Sequence, residues 1–485
     1  MKRKLLSGFL AAAMLSVSMF MLTACNEETT ATGTGGASGE GTGGGAQGGD
    51  TSEETTGGPS DEELALDKFY ELQGDVAGRE ILNVYTFTKE TVEDLLPLFL
   101  KKNPNNFTDD FYINVEMAAD HAAHRLAVNT KLGDNGGPDV FVADVDYAME
   151  FAGLSGTASI DEIGIEINED DYYDYVLDLM RKGDKIMGLS HQATPGGMYY
   201  RADIAEEVLG VKSEEEMQAL VNDWDGFLEV AEKITEATEL KMIYGADELK
   251  RNFLNTRSQG WVDDNGVFTV DEDTINEFVR VTSELKSMDA LRHSGTGQWS
   301  DGWFRGMGTN DPVFSYFGST WYLHFTIKGN AKKGGTYGKW GMVPGPAPFY
   351  WGGTYWFASK ESLKDDAKAT AIKDIIEFFC VNEDDMEAFA KKTGDFVSNK
   401  KIVEKIKNDK KFENDFFLWK TNHYEVFAEI ADDIDITKNI TKYDGDLDDY
   451  FSNFITNVFA EEMSVAEAIG KMKESVKAGT DIKVV

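Results

Sequence analysis

The chain has 485 residues, with 86 acidic and 47 basic side chains, a formal net charge of −39 and two cysteines. That charge excludes a nucleic-acid partner, which needs a basic face to displace its counterions, and it disfavours an anionic membrane surface. Two cysteines with no CxxC or Cys/His cluster exclude a disulfide scaffold and a zinc site, while 41% hydrophobic content over a length of two or three domains leaves ample material for a core.

At the N-terminus, Lys2, Arg3 and Lys4 precede an apolar run over residues 5–22 that ends at Leu22-Thr23-Ala24-Cys25. A charged start, an apolar stretch and small residues before a processing point are the parts of a secretory signal. The small residues before the cysteine resemble the lipobox of bacterial lipoproteins, in which the peptide is cut before the cysteine and diacylglycerol is joined to its thiol. This resemblance implies a signal peptide over residues 1–24 and a lipid on Cys25. The competing reading is an uncleaved anchor, since a spanning helix needs about 18–20 apolar residues. Residues 25–61 are Gly, Thr, Ser, Ala and Glu with almost nothing apolar, so they cannot offset their chain entropy and read as a flexible tether.

From residue 62 the pattern alternates between strands and helices. Residues 80–87 read as a buried strand, and 89–102 as a helix with Pro97 awkwardly inside it. A strand is expected over 112–117, a helix over 121–132, a Gly-Gly-Pro turn, and a strand over 139–143. This order predicts a parallel α/β sheet, whose ligands bind at the carboxyl ends of the strands. Further helices are expected over 224–235, 372–380 and 465–476. Cys380, at the end of an apolar stretch, reads as a buried thiol.

Several segments then resemble one family. Gly137-Pro138-Asp139-Val140 matches the "GPDV" strand of the extracellular solute-binding proteins that feed sugar importers, the maltodextrin-binding-like family. Met198-Tyr199-Tyr200-Arg201-Ala202-Asp203-Ile204 matches its "lyYNkdl" segment, with Arg201 where Asn is usual. Asp223-Trp224-Asp225-Gly226-Phe227 resembles "tWdef", Gly318-Ser319-Thr320-Trp321 resembles "GsW", and Gly341–Pro346 followed by Gly352-Gly353 resembles the family's crossover. The order of these segments extends along nearly all of residues 80–485. The resemblance implies two α/β lobes, each a mostly parallel sheet flanked by helices, joined by hinge strands near 188–197, 342–352 and 393–398. The lobes would comprise residues 62–190 with 346–395, and 191–345 with 396–485. It further implies a monomer that binds a carbohydrate and delivers it to ABC-transporter permease subunits, with no cofactor, no metal and a membrane link through the N-terminal lipid alone.

The aromatic distribution points the same way. Six of the nine tryptophans lie between residues 299 and 356. Sugars offer flat C–H faces to indoles and hydroxyls to carboxylates and amides, so a sugar cleft needs both. Core packing is the competing reading for each ring, and the better one for Trp340. By the resemblance, Trp321 faces the ligand and Asp144, ending the third strand, binds hydroxyls, although it could equally cap the helix that follows. Trp351, Tyr355 and Trp356 flank the Gly-Gly at the cleft floor, and Trp303 and Asp395 complete the expected ligand-binding set.

Other patterns carry less. His121-x-x-His124 lacks a third ligand. Asp444-x-Asp446-x-Asp448 resembles the start of a calcium loop, but Ile455 stands where the twelfth-position Glu belongs, so a solvated acidic turn is expected. Asp263-Asp264-Asn265-Gly266 reads as a hairpin turn. No nucleophile motif or His-bearing triad can be assembled. Two readings from different classes remain: a tethered binding protein, and a surface glycan-active enzyme using an acidic pair. A third, an anionic-ligand receptor, requires Arg201, Arg251, Arg257 or Arg305 to converge.

Overall fold

The computed structural model describes residues 60–436 and 440–485. The expected signal peptide, Cys25 and all but the last residues of the tether lie outside the described residues. No helix among the described residues is long and apolar enough to cross a membrane. Eleven strands are formed in chain order: β1 (Glu80–Thr86), β2 (Phe111–Met117), β3 (Val140–Asp144), β4 (Arg181–Lys182), β5 (Lys185–Ile186), β6 (Leu189–Ser190), β7 (Pro195–Arg201), β8 (Ser315–Ser319), β9 (Trp340–Val343), β10 (Phe349–Tyr350) and β11 (Thr354–Ala358).

The first sheet, the framework of lobe 1, has the order β2-β1-β3-β11-β6. Strands β1, β2 and β3 are parallel, and β11 runs against both β3 and β6. In β3, Val140 to Ala143 are fully buried, as a strand covered on both faces by helices requires. The helix expected over 89–102 begins as a π-turn, Thr91–Leu95, and continues as the α-helix Leu96–Lys102. The wider turn admits Pro97, which cannot donate and would clash inside a regular helix. The remaining expected helices form with small shifts at their ends: His121–Lys131 capped by Asp120, Trp224–Ala237 capped by Asp223, and Val465–Gly479 closed by a Ser464/Glu467 capping box. Asp366–Cys380 starts earlier than the apolar run does, because Asp365 caps it upstream. Cys380 is buried, and Asp263 to Gly266 turn as expected, with Gly266 N–H bonded to Asp263 O.

The second sheet departs from expectation. Every regular ladder in it is antiparallel: β7 is central, with β8 on one side and β9 and β10 in succession on the other. The cause is the chain path. β7 enters lobe 2 from the hinge and so runs away from it, whereas β8, β9 and β10 run back towards it. Single parallel bridges, Lys241 to Val313 and Ile243 to Leu291, extend this sheet beyond β8.

Two hydrophobic clusters result: one joins the first sheet and the helix Asp366–Cys380 to the face of the second sheet bearing Tyr199, Tyr316 and Trp340, and the other joins the opposite face of that sheet, with Tyr200 and Phe317, to the helices Trp224–Ala237, Glu272–Ser287 and Asp444–Phe459. Trp299 and Trp321 are the two partly buried residues packed against both clusters. At the far edge of the first sheet, the helix Asp61–Gln73 lies along β2. The Gln73 amide donates to Ile113 O at 2.9 Å and accepts from Ile113 N–H at 2.8 Å. The Tyr70 hydroxyl does the same for Val115, at 3.1 Å each way.

Candidate functional site

The chain returns from lobe 2 to lobe 1 through Trp351-Gly352-Gly353, between β10 and β11. Gly352 has φ +77°, and a Cβ there would meet Trp321 Nε1 at 2.5 Å. Glycine is thus required twice, by its left-handed backbone and by the indole that lies on it. The contact lets Trp321 Nε1–H donate to Trp351 O at 2.7 Å, which fixes the ring. Trp321 sits just past β8, half-buried. Trp299 lies parallel to it, with centroids 6.0 Å apart and planes at 12°, and Trp351 meets Trp321 edge-on at 5.1 Å and 77°. Two half-buried indoles and the nearly buried Trp351 therefore make a continuous aromatic wall at the seam between the two cores.

Lobe 1 supplies polar groups to the same corner. Asp144 ends β3 opposite Thr354, and its Oδ1 accepts from Asp146 N–H at 3.0 Å, so it caps the helix Val145–Gly153. Burial, and next the neighbouring Asp146, raise its pKa to about 6. Asp146 is held below the usual carboxylate range by Arg251, which outweighs its own desolvation. Arg251, from lobe 2, forks onto Asp146 at 3.1 Å to each oxygen, reaches Asp448 at 3.0 Å, and stands 5.6 Å from the Trp351 ring. It is a cation bridging the two lobes beside the wall.

The acidic repeat Asp444-x-Asp446-x-Asp448 is not the solvated turn expected. It opens the helix Asp444–Phe459, with Asp448 buried against Arg251 and Asp444 bonded to Arg257 at 2.6 Å. Gly445 packs so closely that a Cβ would lie 2.2 Å from Asp146 O. The four arginines do not converge: Arg201 forks onto Asp203 at 2.8 and 2.7 Å, Arg251 and Arg257 are taken as above, and Arg305 is exposed.

The other expected residues lie deeper. Trp303 is fully buried and its indole N–H donates to Glu248. Tyr355 and Trp356 point to opposite faces of β11: Tyr355 bonds Val176 O at 3.3 Å, and Trp356 stacks on Phe379 at 4.8 Å. Asp395, 2% exposed, accepts from Gln192 and from Thr320, the latter at 2.8 Å. Since Gln192 also accepts from Thr354 N–H at 3.1 Å, Asp395 and Gln192 tie together the segments around residues 192, 354 and 395. The structure thus brings Asp144, Trp321 and Trp351 to one corner and leaves Trp303, Tyr355, Trp356 and Asp395 inside. Trp299 and Arg251 were not in the expected set. The φ of +68° at Trp299 is invisible in a sequence, although its Gly-x-Gly-Gln-Trp setting hints at an unusual turn.

Glu90, His191 and Asp395 bring donor atoms within 4.8 Å of one another, a ligand set of metal-binding type. His191 does not fit that role. Trp356 Nε1, which can only donate, bonds His191 Nδ1 at 3.1 Å, so the proton of the neutral ring is on Nε2 and no bare nitrogen remains. Burial lowers the His191 pKa to about 3 and raises those of Glu90 and Asp395. Of the His121-x-x-His124 pair, His124 donates Nε2–H to Val142 O at 2.7 Å.

A lobe built on parallel strands is thus joined to a second lobe built on antiparallel ones. Residues 99–414 match the profile of the bacterial extracellular solute-binding proteins. The chain belongs to this family. No curated protein sequence matches it, but solved structures share its fold. One is an extracellular solute-binding protein of family 1, similar with a TM-score of 0.68 at 17% identity, covering 82% of this chain and 99% of that one. Another is the sugar-binding protein MalE of Xanthomonas citri, at TM-score 0.64 and 15% identity over 82% and 97% of the two chains. A third, an ABC transporter associated binding protein of B. animalis subsp. lactis in complex with β-1,6-galactobiose, has a TM-score of 0.61 and 17% identity over 84% and 100%. In this solute-binding protein, Arg251 links the two sides of the corner, pairing with Asp146 and lying beside the Trp351 ring.

Proposed function

We propose that this solute-binding protein captures a sugar or oligosaccharide between its lobes and delivers it to the permease subunits of an ABC importer, without acting on it chemically. One observation carries the reading: two half-exposed parallel indoles, Trp299 and Trp321, stand at the seam of the two cores, where burying them fully would have been the more stabilising choice. An indole face matches the C–H face of a pyranose, and Asp144 on the opposite lobe can accept from its hydroxyls. Two of the similar structures are named for a sugar or a sugar-binding role. Pairing of Arg201, Arg251 and Arg257 with aspartates leaves those three no free charge for an anionic solute.

In this reading the lobes are residues 62–190 with 346–395 and 191–345 with 396–485, and the protein works as a monomer on a lipid carried by Cys25. Titration calorimetry against mono- and oligosaccharides tests the ligand class: saturable binding without release of reducing ends supports it, and cleavage of a bound glycan favours the enzyme. For the anchor, Cys25→Ala is expected to abolish lipid labelling, and a lipid-labelled mutant would refute the assignment.

A further inference from the structure

Two consecutive carboxylates, Asp247 and Glu248, are buried on the single turn Ala246–Leu249 behind the aromatic wall, 6% and 1% exposed. Adjacent acids in a core are costly, because each loses its hydration and repels the other. Burial raises the pKa of both, and Glu248, beside Asp247, reaches about 8. A pair retained on such terms needs a task, and their partners indicate which.

Asp247 Oδ2 accepts the N–H groups of Gly297 at 2.7 Å and Gln298 at 2.9 Å, the two residues before Trp299. On the other side of Trp299, Ser300 N–H bonds Gly297 O at 3.3 Å, and Ser300 Oγ caps the helix Asp301–Gly306. Trp299 itself has φ +68°, a conformation a bulky residue keeps only where its surroundings impose it. Glu248 acts on the second indole. One of its oxygens accepts the Trp303 indole N–H, and Trp303 lies against Trp299 at 5.1 Å. The other accepts Phe317 N–H at 3.2 Å, in the strand that leads into Trp321.

We propose that Asp247 and Glu248 are positioning residues of the binding cleft: Asp247 holds Trp299 in its left-handed conformation and Glu248 holds the segment bearing Trp321, so that the two indoles are parallel before any ligand arrives. The inference rests on the wall being the ligand face. Pre-set aromatic planes spare the ordering cost that binding otherwise carries. Asp247 holds Trp299 through two N–H groups, so what matters is an acceptor at that place rather than the charge.

The test separates this inference from the sugar reading by using one measurement that needs no ligand. Closely placed indoles couple excitonically, so the far-ultraviolet circular dichroism near the indole band is expected to carry a couplet, and the part that Trp299→Phe removes, with the Trp321–Trp351 pair left in place, belongs to Trp299. Asp247→Ala is expected to abolish it as well, while Asp247→Asn, whose amide oxygen can accept both N–H groups, recovers most of it. If Asp247→Ala does not fold, Asp247→Ser, too short to reach both N–H groups, takes its place. In calorimetry with whichever of β-1,6-galactobiose, maltose and cycloalternan the wild type binds, Asp247→Ala is expected to lose at least tenfold in affinity per folded molecule and Asp247→Asn less than threefold. A Trp299-dependent part of the couplet and an affinity both unchanged in folded Asp247→Ala overturn the proposal, as does a couplet that Trp299→Phe leaves wholly unchanged. If the wild type binds none of the three sugars, the choice of ligand is at fault and the dichroism alone decides the positioning role.

Discussion

Each lobe contains one strand that runs against its neighbours, and in both cases it is the strand delivered from the other lobe, β11 in lobe 1 and β7 in lobe 2. The two differ in position. β11 lies towards one side of its sheet, leaving β1, β2 and β3 parallel with their carboxyl ends together, whereas β7 is central and has antiparallel partners on both sides. Lobe 1 therefore gathers its strand ends and helix caps on one side, Asp120 and Asp144 among them. Lobe 2 carries Trp321 just past β8 and Trp299, stacked parallel to it, in the loop before the helix Asp301–Gly306. In the proposed reading one wall is polar and the other aromatic, which is the division that a ring with hydroxyl edges and an apolar face asks for.

The comparison breaks most visibly at the tryptophans. Trp356 is wholly buried on β11 and stacked on Phe379. Trp356→Ala is expected to destabilise by about 3–5 kcal/mol, read as a lowered melting temperature, with affinity per folded molecule unchanged. Trp321→Ala, on the lobe 2 wall, is expected to do the reverse: a loss of roughly tenfold to a hundredfold in sugar affinity, about 1–3 kcal/mol, with a smaller thermal effect. Trp321→Phe recovers part of it. If both substitutions act on stability alone, the aromatic wall is core.

A cross-lobe pair sharpens the picture further. Asp146→Asn removes one of the two carboxylates on Arg251 and is expected to enlarge the radius of gyration of the ligand-free protein in small-angle scattering, with added ligand restoring compaction. No change in dimensions would mean that the Arg251 bridge does not hold the lobes. Because the Asp146 pKa is depressed in the folded protein, the stability it confers is present above the ordinary aspartate pKa and is lost as pH falls through its lower folded value. The smallest effect is expected at Asp144, whose pKa moves the other way, from 3.8 to about 6. Its contribution is fully present below about 4 and lost as pH rises through about 6. Asn caps a helix as well as Asp does, so Asp144→Asn should flatten the melting-temperature profile across that window and leave the acid end unchanged.

The strands and helices of lobe 1 were legible because their signals are local: a continuous apolar run for β3, and Asp or Ser ahead of each helix. The sense of the ladders in lobe 2 was not, since it depends on where the chain enters the sheet, and no spacing within 195–201 records that. The tryptophan cluster marked the stretch of chain that forms the aromatic wall. Which rings stay half-exposed was hidden, because Trp303 and Trp299 are four residues apart and differ only in which backbone and which carboxylate hold them. The aspartates of 444–448 misled for a related reason: their partners, Arg251 and Arg257, are nearly two hundred residues away.

The Gln73 and Tyr70 side chains that lie along β2 have a practical meaning for anyone handling this protein. They occupy the hydrogen-bonding positions of Ile113 and Val115 that a neighbouring strand would otherwise use, so the free margin of the first sheet is closed by two side chains of a preceding helix. A chain beginning after residue 74 would keep every strand of both sheets and still expose β2 ready to pair with its counterpart in another molecule. Such a shortened protein is expected to clump in the tube, and the remedy would be to restore the thirteen residues of that helix.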